Sequence, residues 1–140
     1  MTSDAQLIEA SLELTAERAG DIGSAVYARF FERFPEGRSL FRVVDATQPP
    51  HGCGQMLFEI LSLLQDNAQN KPYVASYMAD IGAEHAGFGV MGHATYAEFL
   101  QALMDVVAGA LGDHWNAAYQ AAWSRQTAGL LNLLSPTKPI

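Results

Sequence analysis

Residues 80–90 have the sequence DIGAEHAGFGV, which places one histidine, His85, late in a helical stretch and shortly before two glycines. Glycine is common just past the end of a helix, so we expect this helix to end soon after the histidine. Upstream, residues 27–35 have the sequence YARFFERFP, and Leu40-Phe41 follows. Together these stretches predict an all-helical pocket with one imidazole directed into it. This arrangement can hold an iron porphyrin by one axial ligand.

The size and composition of the chain favour one helical domain. Its 140 residues are 49% hydrophobic, and a chain of this length buries roughly 68–70% of its unfolded surface on folding. Alanine and leucine are abundant whereas valine and threonine are sparse, which favours helices over strands. We therefore expect an all-α fold in which residues 1–140 form one domain, with a disordered tail from about residue 135 to residue 140.

The acidic charge balance and the single cysteine restrict the expected partners and compartment. A net charge of −7 disfavours binding to the phosphate backbone of a nucleic acid. Cys53 has no second cysteine to pair with, which fits a reducing compartment. The polar N-terminus is unlike a signal peptide, and no apolar run approaches the roughly 20 residues that a bilayer span needs. These features predict a soluble cytoplasmic protein without nucleic-acid or membrane partners.

Local signals mark the ends of the first helices. Ser3 and Gln6 have the spacing of a capping box, in which each side chain bonds the other residue's backbone, and Gly20 is expected to close that helix. A second helix is expected to begin at Asp21 or Gly23, and Pro35 should stop it and begin a short helix that ends near Phe41. Turn-forming residues then predict a loop over residues 42–52.

Apolar periodicity predicts two helices in the middle of the chain. The first runs from about Cys53 to Asn67, with one buried stripe formed by Leu57, Ile60, Leu61 and Leu64. The second begins at Pro72 and ends at the glycines after His85. Tyr77, Ile81 and His85 are spaced four residues apart, so we expect them to share the face that packs inward.

Two further helices are expected after the histidine. Thr95 and Glu98 have the spacing of a capping pair and predict the start of the first, which continues to Leu111. Gly112-Asp113 then separates it from a last helix that carries Trp115, Tyr119 and Trp123. His93 and His114 fall at helix starts, where we expect them to be solvated.

The order and separation of these elements resemble the globin family, in particular small single-domain bacterial globins. The resemblance covers residues from about 5 to 134 and rests on residues 27–41 and 85–90, with Trp123 as support. It implies a three-over-three helical sandwich around haem b, which is iron protoporphyrin IX. It also implies that His85 is the proximal iron ligand, that Phe41 packs against the porphyrin and that Tyr27 is a distal hydrogen-bond donor. The haem contacts that it implies are Phe41, Leu57, Tyr27, Cys53, Ile81, Val90 and Tyr96.

The polar residue above the iron remains open between four positions. With Leu57 over the haem, the family's distal glutamine or histidine would fall at Cys53. His51 and Gln55 lie nearby in sequence, but each misses the inward face by about 100–200° at 3.6 residues per turn. Either Tyr27 alone supplies the polar contact, or His51 or Gln55 reaches inward from an irregular helix start.

The proximal side also departs from the family pattern. Globins fused to reductases, and their close relatives, pair the proximal histidine with a glutamate in the last helix and a nearby tyrosine, for which Tyr96 is the plausible equivalent. The sequence has no glutamate from Trp115 to Ile140. A proximal imidazole without a carboxylate partner donates less charge to iron. This favours a protein that reversibly binds dioxygen, carbon monoxide or nitric oxide over an enzyme.

Other functions stay open at this point. The chain could be a globin-fold sensor or interaction module, for example a homodimer, or a nitric oxide dioxygenase that needs a separate reductase. It could also be a plain helical adaptor. Tyr27 could be only a core aromatic. Arg29, Arg33 and Arg38, like Lys71 and Tyr73, could either be solvated or reach a haem propionate.

Overall fold

Six α-helices account for most of the residues that the structure, a computed structural model, describes. The described residues are 3–35, 53–87 and 93–134, with side chains described over 3–35, 57–80 and 95–133. Within them there is no strand, so the all-α prediction is confirmed. The helices are α1 (Asp4–Ala19), α2 (Gly23–Arg33), α3 (Cys53–Ala68), α4 (Tyr73–Gly87), α5 (His93–Leu111) and α6 (Ala117–Leu134).

The capping signals around α1 are confirmed. The Ser3 hydroxyl accepts from the backbone N–H of Gln6 at 3.2 Å, and the Gln6 side chain accepts from the N–H of Ser3 at 3.0 Å. Gly20 ends the helix with a φ of 67°, a left-handed conformation that favours glycine. Asp21 accepts from the N–H of Gly23 at 2.8 Å, and α2 begins there, at the second of the two predicted positions.

The observed boundaries of α2, α3 and α4 lie close to the predicted ones. Helix α2 ends at Arg33, and Pro35, which was expected to stop it, follows two residues later. Helix α3 begins at Cys53 as predicted and ends at Ala68, and α4 begins at Tyr73, one residue after Pro72. The predicted short helix that ends near Phe41 and the predicted loop over 42–52 lie outside the described residues.

Two predicted starts were wrong. Helix α5 begins at His93, so Thr95 lies inside it, and the Glu98 carboxylate accepts a hydrogen bond from the Arg33 side chain at 2.7 Å. Glu98 therefore forms an ion pair between α5 and α2 instead of the predicted capping pair with Thr95. Trp115 precedes α6, because a 3₁₀ turn at Gly112–His114 delays the start of that helix to Ala117.

The helices form two layers with the core between them. In one layer α3 contacts both α1 and α4, and in the other α5 contacts both α2 and α6. Contacts of α6 with α1, α3 and α4 join the layers. The fully buried side chains between them include Ile8, Val26, Leu64, Leu103, Val107 and Trp123. No helix in the described part of the chain is long and apolar enough to span a bilayer.

Candidate functional site

The inward face of α4 is defined by two buried side chains, Val74 (2% exposed) and Met78 (6% exposed). Position 85 follows them by eleven and seven residues. At 100° per residue it lies within about 20° of each around the helix axis. The buried face of α4 therefore continues to the position of His85, whose side chain lies outside the described residues.

The predicted stripe of Tyr77, Ile81 and His85 was wrong in one member. Tyr77 is 36% exposed, and its hydroxyl donates to Glu59 on α3 at 3.1 Å. Each four-residue step along a helix turns by about 40°, so Tyr77 lies about 80° from position 85. The Ile81 side chain lies outside the described residues. Met78, at the edge of the predicted stripe, is the residue that packs inward.

Tyr27 is buried in an aromatic cluster between α2 and α5. It is 3% exposed. Its ring lies edge-to-face with Phe99 at 5.3 Å between centroids, and 6.3 Å from the ring of Phe31. Phe30 makes the same edge-to-face contact with Phe99, also at 5.3 Å. We call Tyr27, Phe30, Phe31 and Phe99 the α2–α5 aromatic cluster. These rings fix the position of the Tyr27 phenol in the interior.

Leu57 is buried on α3, as the predicted stripe requires. It is 5% exposed and belongs to the same buried apolar cluster as Tyr27 and Met78. Leu64 is also buried, Ile60 and Leu61 are partly buried, and Leu63, which was not in the stripe, is 2% exposed. The interior therefore brings together Tyr27 and Leu57, which the sequence had assigned to one pocket, and adds Met78 of α4, which it had not.

Tyr96 lies partly buried in the first turns of α5, packed against the core. Burial raises the pKa of the Tyr96 hydroxyl above its ordinary value of 10.0, because the interior disfavours the phenolate. The hydroxyl therefore stays protonated at neutral pH.

Helix α6 carries neither aspartate nor glutamate. Among its polar side chains, Gln126 donates to Asp4 on α1 at 2.9 Å and accepts from Asn67 on α3 at 2.7 Å. The Gln126 amide thus joins α6 to α1 and α3.

The described cations that could have reached a haem propionate are paired within the protein. Arg29 donates to Asp105 on α5 at 3.0 Å, and Arg33 pairs with Glu98. Lys71 pairs with Asp66 at 3.3 Å. These pairs tie α2 to α5 and α3 to the start of α4, while Arg38 lies outside the described residues.

The Tyr73 hydroxyl donates to the same carboxylate of Asp66. This hydrogen bond, with a smaller contribution from Lys71, holds the pKa of Asp66 below its ordinary value of 3.8. In return it raises the pKa of Tyr73 to about 12. Tyr73 is therefore a structural partner of Asp66.

The remaining predicted site residues lie outside the description in whole or in part. Phe41, His51 and Val90 are outside the described residues. Cys53 and Gln55 lie on α3, and their side chains are outside. Sequence reasoning placed Phe99 and Val74 on helices but gave neither a role at the site, although Phe99 holds Tyr27 and Val74 helps to define the inward face of α4. Counting back seven and eleven residues from His85 would have found Met78 and Val74.

Comparison with protein families completes the identification. The family model described as Globin matches residues 24–132, which is more than three quarters of the chain. The chain therefore belongs to the globin family, whose members typically bind haem and, through it, gaseous ligands. A comparison with curated proteins finds no match.

The described residues fit a haem in their chemistry. Leu57, Met78 and Tyr27 supply a buried, largely apolar environment from three helices, and the inward face of α4 carries the histidine position. An apolar surround with one nitrogen donor is the chemistry that a five-coordinate haem iron requires.

Proposed function

We propose that this chain is a globin that holds haem b through His85 and reversibly binds dioxygen or another diatomic gas. The observation that carries the proposal is the buried face of α4, on which position 85 continues the line of Val74 and Met78. Bound haem supplies an iron atom with one open position for the gas. A neutral imidazole binds iron through one ring nitrogen and can donate from the other, which fixes its tautomer.

Apolar residues would hold the porphyrin and keep water from the iron. On the distal side we assign this role to Leu57 and Cys53 on α3, and to Phe41. On the proximal side we assign it to Ile81, Val90 and Tyr96. The burial of Leu57 at 5% exposure supports its place in this set.

Tyr27 is the distal hydrogen-bond donor in this proposal. Its support is the α2–α5 aromatic cluster, which holds the phenol in the interior. A hydrogen bond to a charged acceptor contributes about 1.5–3 kcal/mol, and bound dioxygen carries partial negative charge. Such a donor therefore favours dioxygen over carbon monoxide.

Reversible binding is favoured over an enzymatic role. Helix α6 offers the proximal side no carboxylate, so the imidazole of His85 would not be pushed toward the imidazolate that favours peroxidase or dioxygenase chemistry. If the haem oxidises during nitric oxide chemistry, a separate reductase would have to reduce it.

We also propose that the globin domain extends beyond the matched segment and comprises the whole chain. Helix α1 precedes residue 24, yet it packs against α3, α5 and α6. Its Ser11 hydroxyl accepts from the buried Trp123 side chain at 2.9 Å. The first helix is thus integral to the core.

The test is an optical titration of the purified protein with hemin, followed by reduction and exposure to carbon monoxide and dioxygen. We expect a strong Soret band, a carbonmonoxy spectrum and an oxygenated form that is reversed by removing the gas. His85→Ala should lose the five-coordinate spectrum, whereas the exposed control His114→Ala should keep it. A His85→Ala protein of unchanged helix content that coordinates haem like wild type would overturn the assignment.

A further inference from the structure

A cleft with a volume of about 300 Å³ opens to solvent between α3 and α4. We call it the α3–α4 cleft. The described residues that line it are Phe58, Glu59, Ser62, Leu63, Tyr73 and Tyr77. Leu63, at 2% exposure, is its most buried lining residue, whereas Phe58, at 69%, is the most exposed. Small-molecule sites usually have volumes of roughly 300–1,000 Å³, so a cleft of this size suits a small ligand.

Three of the lining side chains are aromatic. The ring centroids of Tyr73 and Tyr77 lie 6.1 Å apart, and the two ring planes are inclined at 66°. These rings therefore form two adjoining walls on α4, while Phe58 borders the cleft from α3. All three side chains are exposed to solvent. The face of an aromatic ring attracts a cation that lies within about 6 Å of its centre.

Hydrogen bonds to carboxylates on α3 hold both tyrosine side chains in position. The Tyr77 hydroxyl donates to Glu59 at 3.1 Å, and the Tyr73 hydroxyl donates to Asp66. Each hydrogen bond joins the two helices that border the cleft. The aromatic walls are therefore ordered before a ligand arrives, which reduces the entropic cost of binding it.

The charge in the cleft is negative. Glu59 is the charged side chain among the described lining residues, and it forms no ion pair within the described part of the chain. The ammonium group of Lys71 pairs with Asp66 at 3.3 Å and does not line the cleft. Asp80, which is exposed, follows Tyr77 by three residues on α4. A carboxylate beside aromatic rings favours a cation over an anion or a neutral molecule.

We propose that the α3–α4 cleft is a binding site for a small quaternary ammonium ion that carries a trimethylammonium group. The aromatic rings contact the methyl groups, and the Glu59 carboxylate balances the positive charge. A quaternary ammonium ion suits this cleft because it has no N–H groups that need acceptors, and aromatic walls are the surroundings that bind it in other proteins. Such an ion has no lone pair to offer to iron, so the site is independent of the proposed haem ligand.

The test is a calorimetric titration of the purified full chain, as it is isolated, with choline and with tetramethylammonium. The neutral comparison is dimethylbutanol, in which a carbon atom replaces the nitrogen of choline. The variants are Phe58→Leu, at an exposed side chain, and Glu59→Gln, which keeps an acceptor for the Tyr77 hydroxyl. The matched control Glu13→Gln removes the same charge from an exposed position on α1. Circular dichroism checks that every variant is folded.

We expect saturable binding of one choline or one tetramethylammonium ion per chain. Dimethylbutanol should bind more weakly than choline by about tenfold or more, because it has the shape but not the charge. Phe58→Leu and Glu59→Gln should each weaken choline binding by about fivefold or more, whereas Glu13→Gln should match wild type.

The same trimethylammonium group occurs free in solution and on the headgroup of phosphatidylcholine. A second arm therefore measures co-sedimentation of the protein with phosphatidylcholine vesicles. Vesicle binding that Phe58→Leu and Glu59→Gln both weaken, without binding of free choline, would support the site and assign the lipid headgroup as the source. Binding of free choline without binding to vesicles would support the site and assign a soluble ligand.

Three outcomes would overturn the inference. The first is the absence of binding in both arms. The second is equal affinity for choline and dimethylbutanol, which would show an apolar cleft without cation recognition. The third is binding that either variant leaves unchanged, which would place the cation elsewhere. None of these results depends on haem or gas binding, so the proposed function is tested separately.

Discussion

The four helices α1, α2, α5 and α6 and the two helices α3 and α4 are held together by different kinds of contact. We call the first group the frame and the second the pocket wall. The frame is joined by the α2–α5 aromatic cluster, by ion pairs of Arg29 and Arg33 with α5, and by the buried Trp123–Ser11 hydrogen bond. The pocket wall carries the most exposed large hydrophobic side chains of the described residues, Phe58, Tyr73 and Tyr77.

This difference indicates that the frame provides most of the stability, whereas the pocket wall provides most of the proposed contacts with the cofactor. The frame supplies its own partners for buried groups and should fold without a cofactor. Within the described part of the chain, helices α3 and α4 contact each other only slightly, and each contacts helices of the frame more. In the proposed arrangement, a haem held between α3 and α4 would add contacts mainly to the wall, and a ligand that binds only the folded state stabilises that state.

The strongest test of the frame is Trp123→Ala. This side chain is fully buried, and its indole N–H donates to the Ser11 hydroxyl at 2.9 Å. Removing a buried tryptophan costs about 3–5 kcal/mol of unfolding free energy because a cavity remains. Denaturant unfolding of the protein without haem measures the loss. Trp115→Ala, at a partly buried tryptophan outside α6, should cost clearly less, and equal losses would contradict the comparison.

The corresponding change in the pocket wall is Met78→Ala. Met78 is 6% exposed on the inward face of α4. Truncating a buried methionine costs about 2–3 kcal/mol of unfolding free energy here, near the lower end of the usual range, because among the described residues α4 contacts mainly α6 and α3. We also expect faster loss of hemin to an apomyoglobin acceptor, a property that Trp123→Ala should change less. The exposed control Ser76→Ala should leave stability and hemin loss unchanged.

Tyr27→Phe tests whether the hydroxyl of Tyr27, a residue of the frame, donates a hydrogen bond to the bound gas. The substitution keeps the ring in the aromatic cluster and removes only the hydroxyl. If that hydroxyl donates to bound dioxygen, dioxygen dissociation should accelerate by about tenfold or more, since such a bond contributes about 1.5 kcal/mol or more. Carbon monoxide, a poorer acceptor, is the internal control and should dissociate at nearly the wild-type rate. Equal effects on both gases would assign Tyr27 to packing alone.

The smallest expected effect concerns the contact of α3 with the start of α4. The Tyr73 hydroxyl lowers the pKa of Asp66 from 3.8, so its contribution is present above that pH and is lost as pH falls through the lowered pKa. The raised pKa of Tyr73, about 12, means that the contribution also disappears as pH rises from 10.0 through 12. Both side chains are partly solvated, which limits the contribution to about 1 kcal/mol or less.

Tyr73→Phe should therefore unfold more easily than wild type at pH 7, by a margin that shrinks as pH falls below 3.8. Denaturant midpoints over a series of pH values from 7 downward measure this. A deficit that persists unchanged at low pH would show that the hydroxyl acts through some other contact.

Local rules were enough to predict much of the fold. The Ser3–Gln6 capping box and the glycine that ends α1 depend only on neighbouring residues, and both are confirmed. The predicted start of α5 was wrong because the spacing of Thr95 and Glu98 was interpreted as a capping pair, whereas the helix begins at His93. Glu98 instead pairs with Arg33, sixty-five residues away, and spacing along the chain carries no information on such a contact.

The site was harder to predict for the same physical reason. Four-residue steps drift around a helix, so Tyr77 was assigned to the inward face although Met78 occupies it. The contact of Tyr27 with Phe99 joins two helices far apart in sequence. The distal residue among Tyr27, His51, Cys53 and Gln55 depends on how the chain enters α3, which neither periodicity nor capping determines.

The central claim is that the imidazole of His85 is the axial ligand of the haem iron, and resonance Raman spectroscopy of the ferrous, gas-free protein tests it most directly. We expect an iron–nitrogen stretching band that shifts when histidine is labelled with nitrogen-15. In His85→Gly supplied with imidazole, the band should return but no longer respond to labelled histidine. A label-sensitive band that persists in His85→Gly would show that another histidine holds the iron and would contradict the account.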